Sequence, residues 1–244
     1  MGRAQRWRNC LLGSSSTIHY LREYTIDIQK ISKHFDDIHK DMKRTFPLDD
    51  FFNDHIGPLS EIMNSYAYVN HGMGYAQGMA FIAFILFKIY HADDPVYATE
   101  DTFYSLHHII QVVRPAYPLN DKDKSVVRFN DNITSSVILL ISKHNTQLAK
   151  RVKELDIMHI FVQQNMPSLF GNKFMIEDCC LLWDFIIHKN HYEMFHRILC
   201  VLAGMILSIE PVIIHMKYEN VLSIMQNRGC YKARRVISLA YSVI

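Results

Sequence analysis

The stretch Leu59-Ser60-Glu61-Ile62-Met63-Asn64-Ser65-Tyr66-Ala67-Tyr68-Val69-Asn70-His71-Gly72-Met73-Gly74-Tyr75-Ala76-Gln77-Gly78-Met79 decides what kind of fold this chain adopts. Leu59, Ile62, Tyr66 and Val69 recur at steps of three and four, the spacing of a helix that buries one face. Gly72 and Gly74 then allow a tight turn. From Met79 to Tyr90 the sequence is apolar almost throughout and carries Lys88 near its end. That run is shorter than the roughly 20 residues a membrane span requires, so it reads as a helix buried on all sides inside a protein.

The same period continues outward in both directions. Ile28, Ile31, Phe35, Ile38 and Met42 form one helical series, and Val126, Phe129, Ile133, Val137, Leu140 and Ile141 form another. Ile198 to Ile209 is a second long apolar helix. Breakers separate these segments: Phe46-Pro47, Gly57-Pro58, Asp93-Asp94-Pro95, Arg114-Pro115, Met166-Pro167, Gly171-Asn172, Glu210-Pro211 and Arg228-Gly229. No strand-like alternation of useful length competes, so the sequence predicts an all-helical fold with short connections. The most polar connection, Asn120 to Lys124, reads as a surface loop.

With 49% hydrophobic residues among 244, the chain has enough apolar mass for a substantial core, in one domain or two closely packed lobes. A net charge of only +2 excludes the strongly basic surface that tracks a phosphate backbone, so nucleic acid is not an expected partner. The five cysteines, two of them adjacent at Cys179 and Cys180, contain no C-x-x-C pair and read as small hydrophobes of a reduced compartment. Arg6 stands where a myristoylation signal needs Ser or Thr, and no leader-like apolar run follows Arg3, Arg6 and Arg8. A cytoplasmic location is expected.

Two segments could carry chemistry. In Ile38-His39-Lys40-Asp41-Met42-Lys43-Arg44-Thr45-Phe46-Pro47, Asp41 and Arg44 lie three apart on one helix face, where a carboxylate can brace a guanidinium. Pro47 disfavours helical geometry at Phe46, which puts Arg44 in the last turn with its side chain free to project beyond the end. Read without its neighbours, this is a solvated helix terminus with an ordinary surface pair. The second segment is the turn Gly72 to Gly78, which sets Gln77 at the start of the buried helix, where backbone N–H groups point outward and favour anionic groups. Glutamine carries both a carbonyl and an amide, so it can orient a water while donating to a phosphate oxygen. Read alone, Gln77 is a weak cap and the glycines are turn formers.

Together and in this order, the two segments resemble the TBC domain family of Rab GTPase-activating proteins. The family's Ile-x-x-Asp-x-x-Arg motif stands as Ile38, Asp41 and Arg44 and continues into Thr45-Phe46-Pro47, and its Tyr-x-Gln-Gly motif stands as Tyr75, Gln77 and Gly78. Upstream, Trp7 and Leu11-Leu12-Gly13 are similar to the family's N-terminal landmarks. Downstream, Leu181-Leu182-Trp183-Asp184-Phe185 and Met194-Phe195-His196-Arg197 look like its Trp-Asp helix and that helix's partner. Two departures stand out: Ala76 occupies a position often held by Cys, and no tryptophan precedes Leu169-Phe170.

The resemblance implies one V-shaped helical TBC domain over residues 1–244, with a motif-bearing lobe at about 1–150 and a second at 151–244. It implies a GTPase activator that supplies Arg44 and Gln77 in trans to a GTP-bound Rab-family GTPase. Asp41 would hold Arg44, Tyr75 and Gly78 would shape the approach of Gln77, and Ile38 and Thr45 would support the first motif. No cofactor of its own is implied, because GTP and Mg²⁺ belong to the partner, and membranes are reached only through that partner. The rival reading is a TBC-fold binding module that docks a GTPase without accelerating hydrolysis. A free-standing hydrolase lacks a visible nucleophile and base pair. His188, His191 and His196 lack metal-ligand spacing and read as surface or capping residues, while Trp183-Asp184 reads as architecture, with Trp183 in the core.

Overall fold

A computed structural model describes residues 1–13, 32–118 and 124–244. Among the described residues all regular structure is helical. The helices are α1 (Arg3–Leu11), α2 (Phe35–Thr45), α3 (Asp50–Asp54), α4 (Ile56–Val69), α5 (Met79–Asp93), α6 (Ala98–Val113), α7 (Ser125–His144), α8 (Thr146–Leu155), α9 (Met158–Asn165), α10 (Ile176–Ile186), α11 (His191–Ser208), α12 (Glu210–His215), α13 (Tyr218–Gln226) and α14 (Ala233–Tyr241), with one three-ten turn at Arg114–Ala116. Ile28, Ile31 and most of the expected loop at Asn120 to Lys124 lie outside the described residues.

Helix α5 is the buried helix of the sequence reading. Its residues from Met79 to Phe87 are almost all withdrawn from solvent, and α4 and α6 flank it. Helix α2 lies against both α4 and α5 through Ile38 and Met42. Its stop is set by an aromatic cluster: Phe46 meets Phe84 at 4.6 Å and Phe81 at 5.1 Å between ring centroids, and Phe52 meets Phe84 at 5.0 Å. Edge and tilted ring contacts of this kind add about 0.5–1.5 kcal/mol each beyond area burial, and here they fix where the chain leaves α2.

Two details of the sequence reading change. Val69 was expected inward with Leu59, Ile62 and Tyr66, which are fully buried, but Val69 is 61% exposed. It is the last residue of α4, and the chain turns away at Asn70 before another element can cover it. Gly57-Pro58 does not precede a helix but lies in the first turn of α4, where proline's missing N–H leaves no intrahelical bond unmade.

The second long apolar run forms most of α11, buried against α14, α7 and α10. Gly204 makes the α14 contact, for a Cβ there would stand 2.5 Å from the Val236 carbonyl oxygen. Asn190 caps α11 by accepting from the N–H groups of Tyr192 (2.9 Å) and Glu193 (3.2 Å). Among the described residues no helix is long and apolar enough to cross a membrane.

The upstream and downstream landmarks meet. The Trp7 indole N–H donates to Asp184 at 3.0 Å, and the same carboxylate accepts from Arg3 at 2.8 Å and Arg6 at 3.2 Å. Trp183, fully buried, donates to the Leu169 carbonyl at 2.9 Å and lies 5.5 Å from the Trp7 ring. Trp183-Asp184 therefore acts as architecture, fastening α1 to α10.

Candidate functional site

The site is assembled from the end of α2 and the turn between α4 and α5. On α2 the buried positions Ile38, Asp41, Met42 and Thr45 follow the i, i+3, i+4, i+7 pattern, so a carboxylate occupies a core-facing position. A carboxylate so placed needs donors. Arg44 supplies one, its Nε donating to Asp41 Oδ1 at 2.7 Å. Tyr75 supplies the other, its hydroxyl donating to Asp41 Oδ2. Thr45, also buried, donates its hydroxyl to the Asp41 backbone carbonyl at 2.8 Å, which closes the last turn of the helix.

This arrangement leaves Arg44 half tethered. Its side chain is 62% exposed while that of Asp41 is 4% exposed, so the stem is held through Nε and the two terminal nitrogens face outward. The hydrogen bond to Asp41 also raises the Arg44 pKa further above its already high ordinary value. The Tyr75 hydroxyl is pushed far up, by burial first and then by its bond to Asp41, so it keeps the proton it donates.

The turn that delivers Tyr75 is held by its own backbone. The Asn70 carbonyl accepts from Met73 N–H at 3.0 Å and Gly74 N–H at 2.7 Å, and Asn70 Nδ2 donates to the Tyr66 carbonyl at 2.9 Å. Gly74 takes φ +66° with the His34 ring directly against it. Gly78 takes φ +105°, caps α5, and lies so close to the chain at Pro167 that a Cβ would sit 2.8 Å from the Pro167 carbonyl oxygen. That carbonyl also accepts from the buried Tyr117 hydroxyl at 2.8 Å. Gln77, between these fixed points, is exposed and makes no hydrogen bond among the described residues.

All the residues singled out from the sequence thus fall into one region: Ile38, Asp41, Arg44 and Thr45 on α2, and Tyr75, Gln77 and Gly78 on the turn before α5. The two segments are joined directly by the Tyr75 to Asp41 bond. Two contributors were missed by the sequence reading, the Pro167 backbone and Tyr117. Pro167 showed only as a breaker, and Tyr117 gave no signal because its role depends on a carbonyl 50 residues away.

The histidines are scattered. His191 and His108 pair Nε2 to Nε2 at 2.6 Å, and His188 Nδ1 accepts from the Asn190 N–H at 3.2 Å. Among the described residues no three His, Cys, Asp or Glu side chains come together as a metal site.

This all-helical fold is the one expected from the resemblance to the TBC domains of Rab GTPase-activating proteins. The chain belongs to that family: the sequence model of the Rab-GTPase-TBC domain matches residues 3–213. Among solved structures, it is similar to the Ypt/Rab-GAP domain of Gyp1p, with a TM-score of 0.79 at 15% identity, over 99% of this chain and 86% of that one. It is also similar to the Chlamydomonas flagellar RabGAP TBC domain, with a TM-score of 0.68 at 16% identity, over 99% of this chain and 79% of that one. At such identities the likeness establishes the shared fold.

Proposed function

We propose that this chain accelerates GTP hydrolysis by a GTP-bound Rab-family GTPase, supplying Arg44 and Gln77 in trans. The observation that carries this reading is the shared carboxylate: Asp41 accepts from Arg44 on one oxygen and from Tyr75 on the other. A surface arginine needs no such brace from a buried acid. A group that must enter another protein's active site gains from having its stem fixed beforehand, because the ordering cost is met before the encounter.

The chemistry follows from the demands of phosphoryl transfer. Hydrolysis needs an in-line water and relief of the charge that builds on the transferred phosphoryl group and the leaving oxygen. The outward guanidinium nitrogens of Arg44 meet that charge. Gln77, exposed beside the N-terminus of α5, accepts from the water with its carbonyl and donates to a phosphate oxygen with its amide. Asp41 is a positioning residue and Tyr75 fixes Asp41, while the nucleotide and its Mg²⁺ are held by the GTPase. Recruitment to endomembranes from the cytoplasm then follows the membrane-bound partner.

The test is single-turnover hydrolysis with Rab saturated, for wild-type Rab or Rab with its switch glutamine changed to leucine, against wild-type chain or Gln77→Ala. The leucine Rab should still be turned over by the wild-type chain and be nearly silent with Gln77→Ala. Complete loss with the wild-type chain, despite demonstrated binding, would remove Gln77 from the mechanism. A chain that binds Rabs and stimulates none would be the non-catalytic module.

A further inference from the structure

Directly beyond Arg44 the chain forms one wall of a cleft of about 300 Å³. Phe46, Leu48 and Asp49 line one side, and Met175, Ile176 and Arg228 line the other. The volume lies at the bottom of the small-ligand range, too little for a nucleotide or cofactor and ample for one large side chain. Its mouth is unusually apolar for exposed surface: Leu48 is 95% exposed and Met175 65%.

Among the described residues, the cation that lines the cleft has no acidic partner. The Arg228 guanidinium lies 5.2 Å over the Phe46 ring and donates to the Gly171 carbonyl at 3.2 Å, and among the described residues no carboxylate pairs with it. Lys173, buried behind it, has only neutral oxygens within reach, those of Gln164 Oε1 and the Gln226 carbonyl, each at 3.4 Å. Burial lowers the Lys173 pKa first, nearby Cys230 raises it, and the Arg228 charge lowers it again. The acid of the cleft does not offset them, since Asp49 Oδ2 already accepts from Lys88 at 2.9 Å and Oδ1 from the Phe52 N–H at 2.9 Å. An apolar slot with an unmatched positive rim is complementary to an apolar side chain flanked by a carboxylate.

The position of the slot selects its occupant. Phe46 follows Arg44 by two chain steps of about 3.8 Å each, so a protein that brings a phosphoryl group to Arg44 comes close to residues 46–49. We infer that this cleft is a second docking point for the same GTPase, taking one of its apolar side chains while Arg228 pairs with a neighbouring carboxylate, and that it selects among Rabs. The inference rests on the proposed function for the identity of the partner. Apolar insertion and a desolvated charge pair are the contacts that discriminate related partners, whereas Arg44 and Gln77 meet groups common to every GTP-bound GTPase.

The test uses Leu48→Asp and Met175→Asp, which replace exposed side chains and so leave the fold undisturbed, together with Arg228→Glu. Two readouts are taken over a panel of Rabs: single-turnover hydrolysis as a function of chain concentration, and binding of Rab loaded with a non-hydrolysable GTP analogue. The aspartate variants should raise KM and Kd for the preferred Rab about tenfold or more, while the rate at saturation stays within about twofold. Arg228→Glu should behave likewise and be rescued when one Rab carboxylate, found by scanning its acidic residues, is changed to Lys. Unchanged KM and Kd in all three variants would overturn the inference and leave the proposed function standing. If the wild-type chain binds Rabs without stimulating them, the catalytic reading falls, and the analogue-binding arm still decides the cleft by the same shift. A wild-type chain that engages no Rab overturns both.

Discussion

Gly78 lies against the Pro167 carbonyl, which a Cβ at position 78 would approach to 2.8 Å, and it holds φ at +105°. Space and backbone conformation exclude a side chain there independently. Gly78→Ala is expected to destabilise the chain by about 1–3 kcal/mol through the strained backbone and to displace the adjacent Gln77. Thermal melting should record the first effect and stimulated GTP hydrolysis the second. A variant with wild-type Tm and activity would show that the turn relaxes without cost.

Arg44→Ala should still fold but melt lower, because Asp41 Oδ1 is buried and loses its donor, and it should lose stimulation by on the order of 10³–10⁵ in rate. Arg44→Lys should fail nearly as badly. A lysine could keep the pair with Asp41 or reach outward with its single ammonium, but lacks the planar fork that does both. Near-full hydrolysis by a correctly folded Arg44→Ala protein would rule the residue out as the catalytic arginine.

Tyr75→Phe removes one of the two donors to a carboxylate that is almost wholly buried. Leaving that oxygen unsatisfied should cost about 1–3 kcal/mol of stability. Activity should also fall, though less than in Arg44→Ala, because Arg44 keeps its own bond to Asp41. The useful comparison is Asp41→Asn, whose single acceptor oxygen cannot serve both donors. If Tyr75→Phe and wild type were indistinguishable in melting and rate, the link between the two segments would carry no weight.

His108 supplies a pH dependence unrelated to catalysis. Burial first, then the neighbouring His191 and His107, lower its pKa to about 4 from 6.5. The folded chain therefore prefers neutral His108, and its Nε2 contact with His191 needs a lone pair on one ring. The resulting stability is fully present above pH 6.5 and should be lost progressively as pH falls from 6.5 towards 4, where the loss saturates. Half-exposure of the ring keeps the effect small. Tm against pH should show a shallower fall over that window in His108→Gln than in wild type, and parallel curves would exclude the residue.

Much of this site is legible in the sequence. The three-residue step from Asp41 to Arg44 and the stop at Pro47 predict the tethered, outward arginine, because both follow from helix geometry alone. The glycines around Gln77 predict a turn at the head of α5 for the same local reason. The bond from Tyr75 to Asp41 could not be read this way, since it depends on how a nine-residue turn folds back over a neighbouring helix. Val69 was misread because periodicity assigns a face without knowing where the covering elements end. The Phe46 to Arg228 cleft gave no signal, being made of side chains far apart in sequence that share no pattern.

The Asp184 carboxylate, which gathers Trp7, Arg3 and Arg6, also sets an order of events. Trp7 and its acceptor are 177 residues apart, so this bond cannot form until Asp184 has been made, whereas Arg8 on the same helix pairs with Asp93 and Asp101 much earlier in the sequence. Closing so long a loop is slow, so Trp7, Arg3 and Arg6 wait for their acceptor while Arg8 already holds α1 to α5 and α6. The segment carrying Arg44 and Gln77 is complete well before that closure. During synthesis, then, the segment with the proposed catalytic residues can form while the seam between α1 and α10 is still open, and weakening Asp184 should show first as poor yield and aggregation rather than as slower stimulated GTP hydrolysis.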